Sequence, residues 1–211
     1  MTKDKLINIA KPILFNTNMV LAILNGRKTS TRRIVKFLAG QNPNWTGYIK
    51  DGLMLYNGRN EPCCRRPPYQ VGNVLYVRET WSEWTGGYLY KAWPSPINQT
   101  GQSRYMRWHP SIHMPKEAAR IFLKATDIRI EKLQDITNDD ILKEGSNEDT
   151  ISHYIKQMPE ETEEWIRAAY LLEWKQLWDS TIKKTDMDCY GWDANPWIWV
   201  VEFEKILLKE V

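Results

Sequence analysis

The sequence predicts an α+β fold: a small, closed, mostly antiparallel β-barrel with helices flanking it. Three observations predict it. A strand-like segment opens the chain near Pro12 and another closes it near Ile206. Two alternating segments lie between them, residues 74–81 and 120–133, and a period of two marks a half-buried strand. The order along the chain is strand, helix, several strands, helices, strand, which suits a barrel with helices outside. A length of 211 residues fits one domain with elaborations, or one domain with a small appendage.

Pro12-Ile13-Leu14-Phe15 reads as the opening strand, and Asn16 or Thr17 can cap the helix that follows. Met19, Val20, Ile23 and Leu24 recur at helical spacing, and Gly26 stands where that helix must stop. Residues 32–38 read as a second short helix or an irregular run. Residues 41–68, rich in Gly, Asn and Pro, form a first insertion with a hairpin in it: a strand over 53–56 and a turn at Asn57-Gly58.

The next strand puts Val74, Tyr76 and Arg78 on one face and Leu75, Val77 and Glu79 on the other. Its polar end, Arg78 and Glu79, is where a barrel rim would lie. A second insertion, residues 82–115, carries Trp84, Trp93, Trp108, His109 and His113 and ends in a helical turn over 114–119. The strand over 120–133 bends near Ala125. A helical section spans about 137–179. Thr137 caps its first helix, Asp139 and Asp140 favour the positive helix start, and Gly145 ends it. Further on, Trp165, Ala168, Ala169, Leu172 and Trp178 form an apolar stripe that reads as core. A turn-rich loop over 180–195 leads to the closing strand, 196–206.

The net charge is only +3, so attraction to nucleic acid must come from local clusters. Eleven tryptophans exceed ordinary use, and a Trp ring serves equally as core or as a surface on which a base stacks. Trp81 and Trp108 are the stacking candidates, with core packing the plainer role for Trp81. Cys63, Cys64 and Cys189 lack paired spacing, which argues against a zinc site and for free thiols in a reducing compartment, the cytoplasm. No apolar run approaches the length of a membrane span. These features require no metal, cofactor or membrane.

The chemistry concentrates in the nine residues from Asn25 to Arg33. Four cations, Arg27, Lys28, Arg32 and Arg33, surround the hydroxyls of Thr29, Ser30 and Thr31. A hydroxyl beside an amine can be a nucleophile beside its base. Clustered cations and hydroxyls can equally hold phosphate. The plain alternative is a solvated basic turn at a helix end.

Gly26-Arg27-Lys28-Thr29, then residues 71–77, then the helix ending in Glu144, then Val201-Glu202-Phe203 resemble, in that order, the ASCH (activating signal cointegrator homology) domain. Val77-Arg78-Glu79-Thr80-Trp81, residues 110–115 and Trp192-Asp193-Ala194-Asn195-Pro196-Trp197 look like the larger phage- and prophage-borne members. The resemblance spans residues 12–206 as a single domain, with the two insertions as additions. It implies a PUA-like β-barrel. Small bacterial members are amidohydrolases that remove the acetyl group of N(4)-acetylcytidine with a Lys, a Thr three residues later and a Glu in the later helix. Carried over by position, these are Lys28, Thr31 and Glu144. Other members are proposed to bind RNA, or in one branch to cut it, so the partner implied is a modified nucleoside or RNA.

Amide hydrolysis needs a nucleophile or positioned water, a base, and a proton donor to the leaving amine. Thr31 fits the first role and Glu144 the last. Lys28 fits the second only if its pKa falls, which burial and the charges of Arg27, Arg32 and Arg33 favour and Glu144 opposes. Glu144, at a helix C-terminus, runs against the helix dipole and needs a cationic partner such as Lys28. Arg27, Arg32, Arg33, Arg78, Glu79 and His113 are the candidate binding residues. A module that uses Lys28, Arg32, Arg33, Arg65 and Arg66 to bind phosphates without catalysis is the competing expectation, and an RNA-cleaving enzyme using the same groove is a third.

Overall fold

The computed structural model describes residues 2–40, 47–84, 87–92 and 107–208. Trp93 lies outside them. Among the described residues there are nine strands: β1 Lys11–Leu14, β2 Ser30–Ile34, β3 Tyr48–Lys50, β4 Met54–Tyr56, β5 Val74–Arg78, β6 Trp81–Trp84, β7 Gly87–Tyr90, β8 Phe122–Lys132 and β9 Trp197–Ile206. The α-helices are α1 Lys3–Ile9, α2 Thr17–Leu24, α3 Asn138–Lys143, α4 Glu148–Ile155, α5 Glu163–Thr181 and α6 Met187–Tyr190. The fold is therefore mixed α+β. Five strands form one sheet in the order β1-β5-β8-β9-β2, and β3-β4 and β6-β7 are separate two-stranded sheets.

The chain divides into two compact units. The first comprises Met1–Arg27, Val71–Thr126 and Phe203–Val211. Here β1 runs parallel to β5, and β5 pairs antiparallel with the first residues of β8. Asn16 caps α2 by accepting the Met19 N–H at 2.9 Å. Gly26, at φ 76°, closes the same helix in the left-handed region that a Cβ disfavours. Leu6, Tyr76, Trp81, Met114 and Phe122 build the core. Trp81 is thus core rather than a stacking platform, with the His109 ring against it at 4.9 Å between centroids.

The second unit comprises Lys28–Gln70 and Asp127–Glu202. Its core joins Leu133, Ile136, Ile141, Trp174, Trp178 and Ile198. Residues 32–38, expected as a short helix or irregular, begin instead as β2, which pairs antiparallel with β9. Thr31, Ile34 and Val35 are β-branched, and bonding to β9 outweighs the helical spacing. The apolar stripe of α5 is also displaced. Trp165 and Leu172 are exposed, while Ala169, Trp174 and Trp178 are buried. Tyr170, Leu171 and Leu177 flank that buried row, one residue away from the stripe read from the sequence. The loop over 180–195 contains α6 and two 3-10 turns. The β3–β4 hairpin turns at Asp51 and Gly52, both with positive φ, the backbone a tight hairpin turn requires. The expected Asn57 turn follows β4, where the Asn57 Oδ1 accepts the N–H groups of Arg59 and Glu61 at 3.0 Å each.

Candidate functional site

The site lies in the second unit and begins with a helix end. Thr137 starts α3 through a reciprocal cap: its hydroxyl oxygen accepts the Asp140 N–H at 3.1 Å, and the Asp140 carboxylate accepts the Thr137 N–H at 3.3 Å. Gly145, at φ 87°, ends the helix and leaves Glu144 as its C-cap. The Thr29 N–H then donates to the Lys143 carbonyl at 2.8 Å, stitching the entry to β2 onto the end of α3. Lys28 and Glu144, 116 positions apart, meet there.

The Lys28 Nζ donates to Glu144 Oε2 at 2.7 Å and to the Glu144 carbonyl at 2.8 Å. One ammonium thus neutralises the carboxylate and satisfies a carbonyl at the negative end of the helix. Arg32 Nη1 donates to the other carboxylate oxygen, Oε1, at 3.2 Å. Its Nη2 donates to Glu131 at 2.8 Å and lies 3.6 Å from Asp140. Arg129 continues the network to Asp127, Glu131 and Glu202 at 3.1, 3.2 and 2.8 Å. The guanidinium of Arg32 also lies over the Trp174 ring, 5.8 Å from its centroid.

Burial dominates the electrostatics. Lys28 is 3% exposed, and loss of solvent pushes its pKa below the ordinary lysine value. The Glu144 charge and hydrogen bond oppose that shift, and Arg33 and Arg32 reinforce it. The balance that the sequence leaves open therefore falls on the side of a weakened ammonium. Burial also lowers Arg33, against the charges of Tyr69 and Glu144. At Asp140, burial would raise the carboxyl, but the Thr137 hydrogen bonds and the charges of Arg32 and Arg129 outweigh it and hold the group below its usual range.

Beside this network is a pocket of roughly 400 Å³ whose lining includes Arg33, Lys36, Arg65, Arg66, Tyr69 and Trp199. Arg33 belongs to both places: it lines the pocket, and its charge bears on Lys28. In the β2–β9 register Arg33 faces Trp199 and Thr31 faces Val201. Alternation puts Thr31 and Arg33 on one face of β2 and Ser30 and Arg32 on the other.

The structure thus brings Lys28, Glu144 and Arg32 together. Thr31 is buried close by in sequence but lies on the opposite face of β2 from Arg32. Arg27, Arg78, Glu79 and His113 belong to the first unit. Arg27 and His113 are exposed there, and Arg78 Nη2 donates to the Ile112 carbonyl. Glu79 is not on an open rim: it is buried, and both of its oxygens accept from Arg120 at 2.8 Å.

Sequence reasoning missed Glu131, Asp140 and Arg129 as partners of the site. The signal was present in β8, where Asp127, Arg129 and Glu131 alternate with the buried Ile128 and Ile130. Ser30, one of the three hydroxyls of the basic stretch, is buried, and its Oγ has no hydrogen-bond partner among the described residues. Among the described residues no group of His, Cys, Asp and Glu is placed to hold a metal ion, and no helix is long and apolar enough to cross a membrane. No family model, curated protein or solved structure matches the chain.

Proposed function

We propose that this chain is an amidohydrolase of acylated nucleosides, of the N(4)-acetylcytidine-deacetylating type, on an ASCH-like, PUA-like barrel to which the five-stranded sheet belongs. The observation that carries the reading is the buried Lys28–Glu144 hydrogen bond of 2.7 Å, formed by an amine whose pKa is lowered. With the proton on Glu144, Lys28 is a neutral amine and can accept a proton from the attacking hydroxyl or water, while Glu144 can deliver its own to the leaving nitrogen. Arg32, on the second oxygen of Glu144, holds the carboxyl in place throughout. The attacking group is Thr31 or a water that it orients; Thr31 shares its face of β2 with Arg33, and Arg33 lines the pocket. Tyr69 supplies aromatic surface for a base, in a volume within the usual range for small-ligand sites.

Hydrolysis of N(4)-acetylcytidine by the unmutated protein, Lys28→Ala and Lys28→Arg tests this. Activity lost in both variants is the expected result, because Arg stays protonated and cannot act as a base. Substantial kcat in Lys28→Arg rejects the base role, and no turnover by the unmutated protein rejects the enzyme. One observation favours a second reading, a nucleic-acid-binding module without catalysis. Lys28, Thr31 and Glu144 are only 3, 2 and 4% exposed, whereas Lys36, Arg65 and Arg66 stand in solvent.

A further inference from the structure

We infer that the pocket takes its nucleoside in phosphorylated form: a nucleotide whose base lies against Tyr69 and whose phosphate is held by Lys36, Arg65 and Arg66. The inference deepens the proposed function by naming the substrate class of the same site, and it rests on that reading only for the chemistry done on the base. Its own support is the composition of the pocket. Four of the lining side chains are cationic and none is a carboxylate. Nearby, Arg32 and Arg129 are occupied by acidic groups. By contrast, Lys36, Arg65 and Arg66 form no ion pair with a carboxylate among the described residues. A neutral nucleoside gives such a cluster nothing to neutralise, whereas a phosphate offers a dianion and acceptor oxygens for forked guanidinium contacts.

The cations are also held in position. The segment carrying Arg65 and Arg66 is bonded to the stretch just after β2 that carries Lys36. The Arg65 N–H donates to the Lys36 carbonyl at 2.9 Å, and the Leu38 N–H donates to the Cys63 carbonyl at 2.8 Å. Phe37 and Cys64 form an antiparallel bridge, and the Cys63 N–H donates to the Leu55 carbonyl at 2.8 Å. The buried Cys63 and Cys64 anchor this segment beneath the exposed arginines. Residues 63–66 of the first insertion are therefore built onto the pocket as a cationic wall. Arg33, half-buried in the same pocket, faces the base.

The test is binding, measured by calorimetry with the full chain, of cytidine, cytidine 5′-monophosphate and a short single-stranded oligoribonucleotide. The unmutated protein should bind the monophosphate at least about tenfold more tightly than cytidine. That advantage should shrink as salt rises, while cytidine binding stays constant. In Arg65→Ala with Arg66→Ala, both exposed positions, the advantage of the monophosphate over cytidine should fall to within about twofold. Equal affinities in the unmutated protein, or an advantage that survives the double substitution or ignores salt, overturn the inference. An oligoribonucleotide that binds far more tightly than the monophosphate overturns it in favour of a strand-binding groove. Deacetylation is read separately with N(4)-acetylcytidine and its 5′-monophosphate. Hydrolysis of both at equal kcat/KM refutes the phosphate preference and keeps the hydrolase. Phosphate-selective binding with no hydrolysis keeps the phosphate site and refutes the hydrolase.

Discussion

Replacing Glu144 with glutamine leaves two buried cations facing a neutral amide. Arg32 keeps Glu131 at 2.8 Å and Asp140 at 3.6 Å, so it remains compensated. Lys28, 3% exposed, loses the carboxylate 2.7 Å from its amine. Removing one member of a buried pair costs about 3–5 kcal/mol, which for a chain of this size lowers Tm by about 6–20 °C. Removing both charges, as Lys28→Met with Glu144→Gln, should cost less than Glu144→Gln alone, because no charge is then stranded. The pH dependence has a definite sign. A lysine whose folded pKa lies below its ordinary 10.5 binds its proton more tightly when unfolded, so its penalty is fully present below the folded pKa and is relieved as pH rises towards 10.5. The deficit of Glu144→Gln should therefore narrow in alkali. Urea unfolding followed by tryptophan fluorescence, at about pH 7 and about pH 10, measures all three proteins. A Glu144→Gln protein within about 1 kcal/mol of the unmutated one, or a double variant no more stable than the single, would refute the claim that the pair is desolvated and coupled.

Three further outcomes follow from the same geometry. Thr137→Ala removes the cap that positions α3, and should cost about 1 kcal/mol of stability while Thr137→Ser restores most of it; thermal denaturation of both checks this. Asp140→Asn should destabilise the protein at neutral pH, and the difference should vanish in acid as pH falls through the lowered folded pKa of Asp140, below the ordinary 3.8. Between Ser30→Ala and Thr31→Val, the kcat for deacetylation should collapse only in the second, and a collapse in Ser30→Ala would reassign the hydroxyl to the Arg32 face of β2.

Much of the fold was legible where local chemistry decides. The Asn16 and Thr137 caps, the stops at Gly26 and Gly145, the strand β5 and the long strands β8 and β9 depend on contacts within a few residues or on a clean period of two. The start of β2 was not legible, because its strand state depends on β9, more than 160 positions away, rather than on Arg32 and Arg33 themselves. The stripe of α5 failed for a related reason. A helix carrying Trp165, Trp174 and Trp178 offers several apolar faces, and the core selects one of them. At the site, the need of Glu144 for a cation was readable from the helix dipole, and Lys28 fills it. The partners of Arg32 were not, since Glu131 comes from β8 and Asp140 from a helix cap, two features each complete without it.

The network is a poor device for stability alone. Hydrophobic side chains of similar volume in place of a buried ion pair are often as stabilising or more so, because they avoid the desolvation of both charges. Glu144 sits at the end of a short helix, where a neutral C-cap would suffice, yet it is gripped by Lys28 on one oxygen and by Arg32 on the other. Arg32 in turn is steadied by Glu131 and Asp140, and Arg129 ties those carboxylates to Glu202 on β9. What such an arrangement secures is position: a carboxyl fixed in rotamer and a lysine amine held at hydrogen-bond distance with its ammonium form weakened. Position and a shifted proton equilibrium are what acid–base chemistry requires. In the proposed hydrolase, the cost of desolvation is then what weakens the Lys28 ammonium, rather than a defect that the fold merely tolerates.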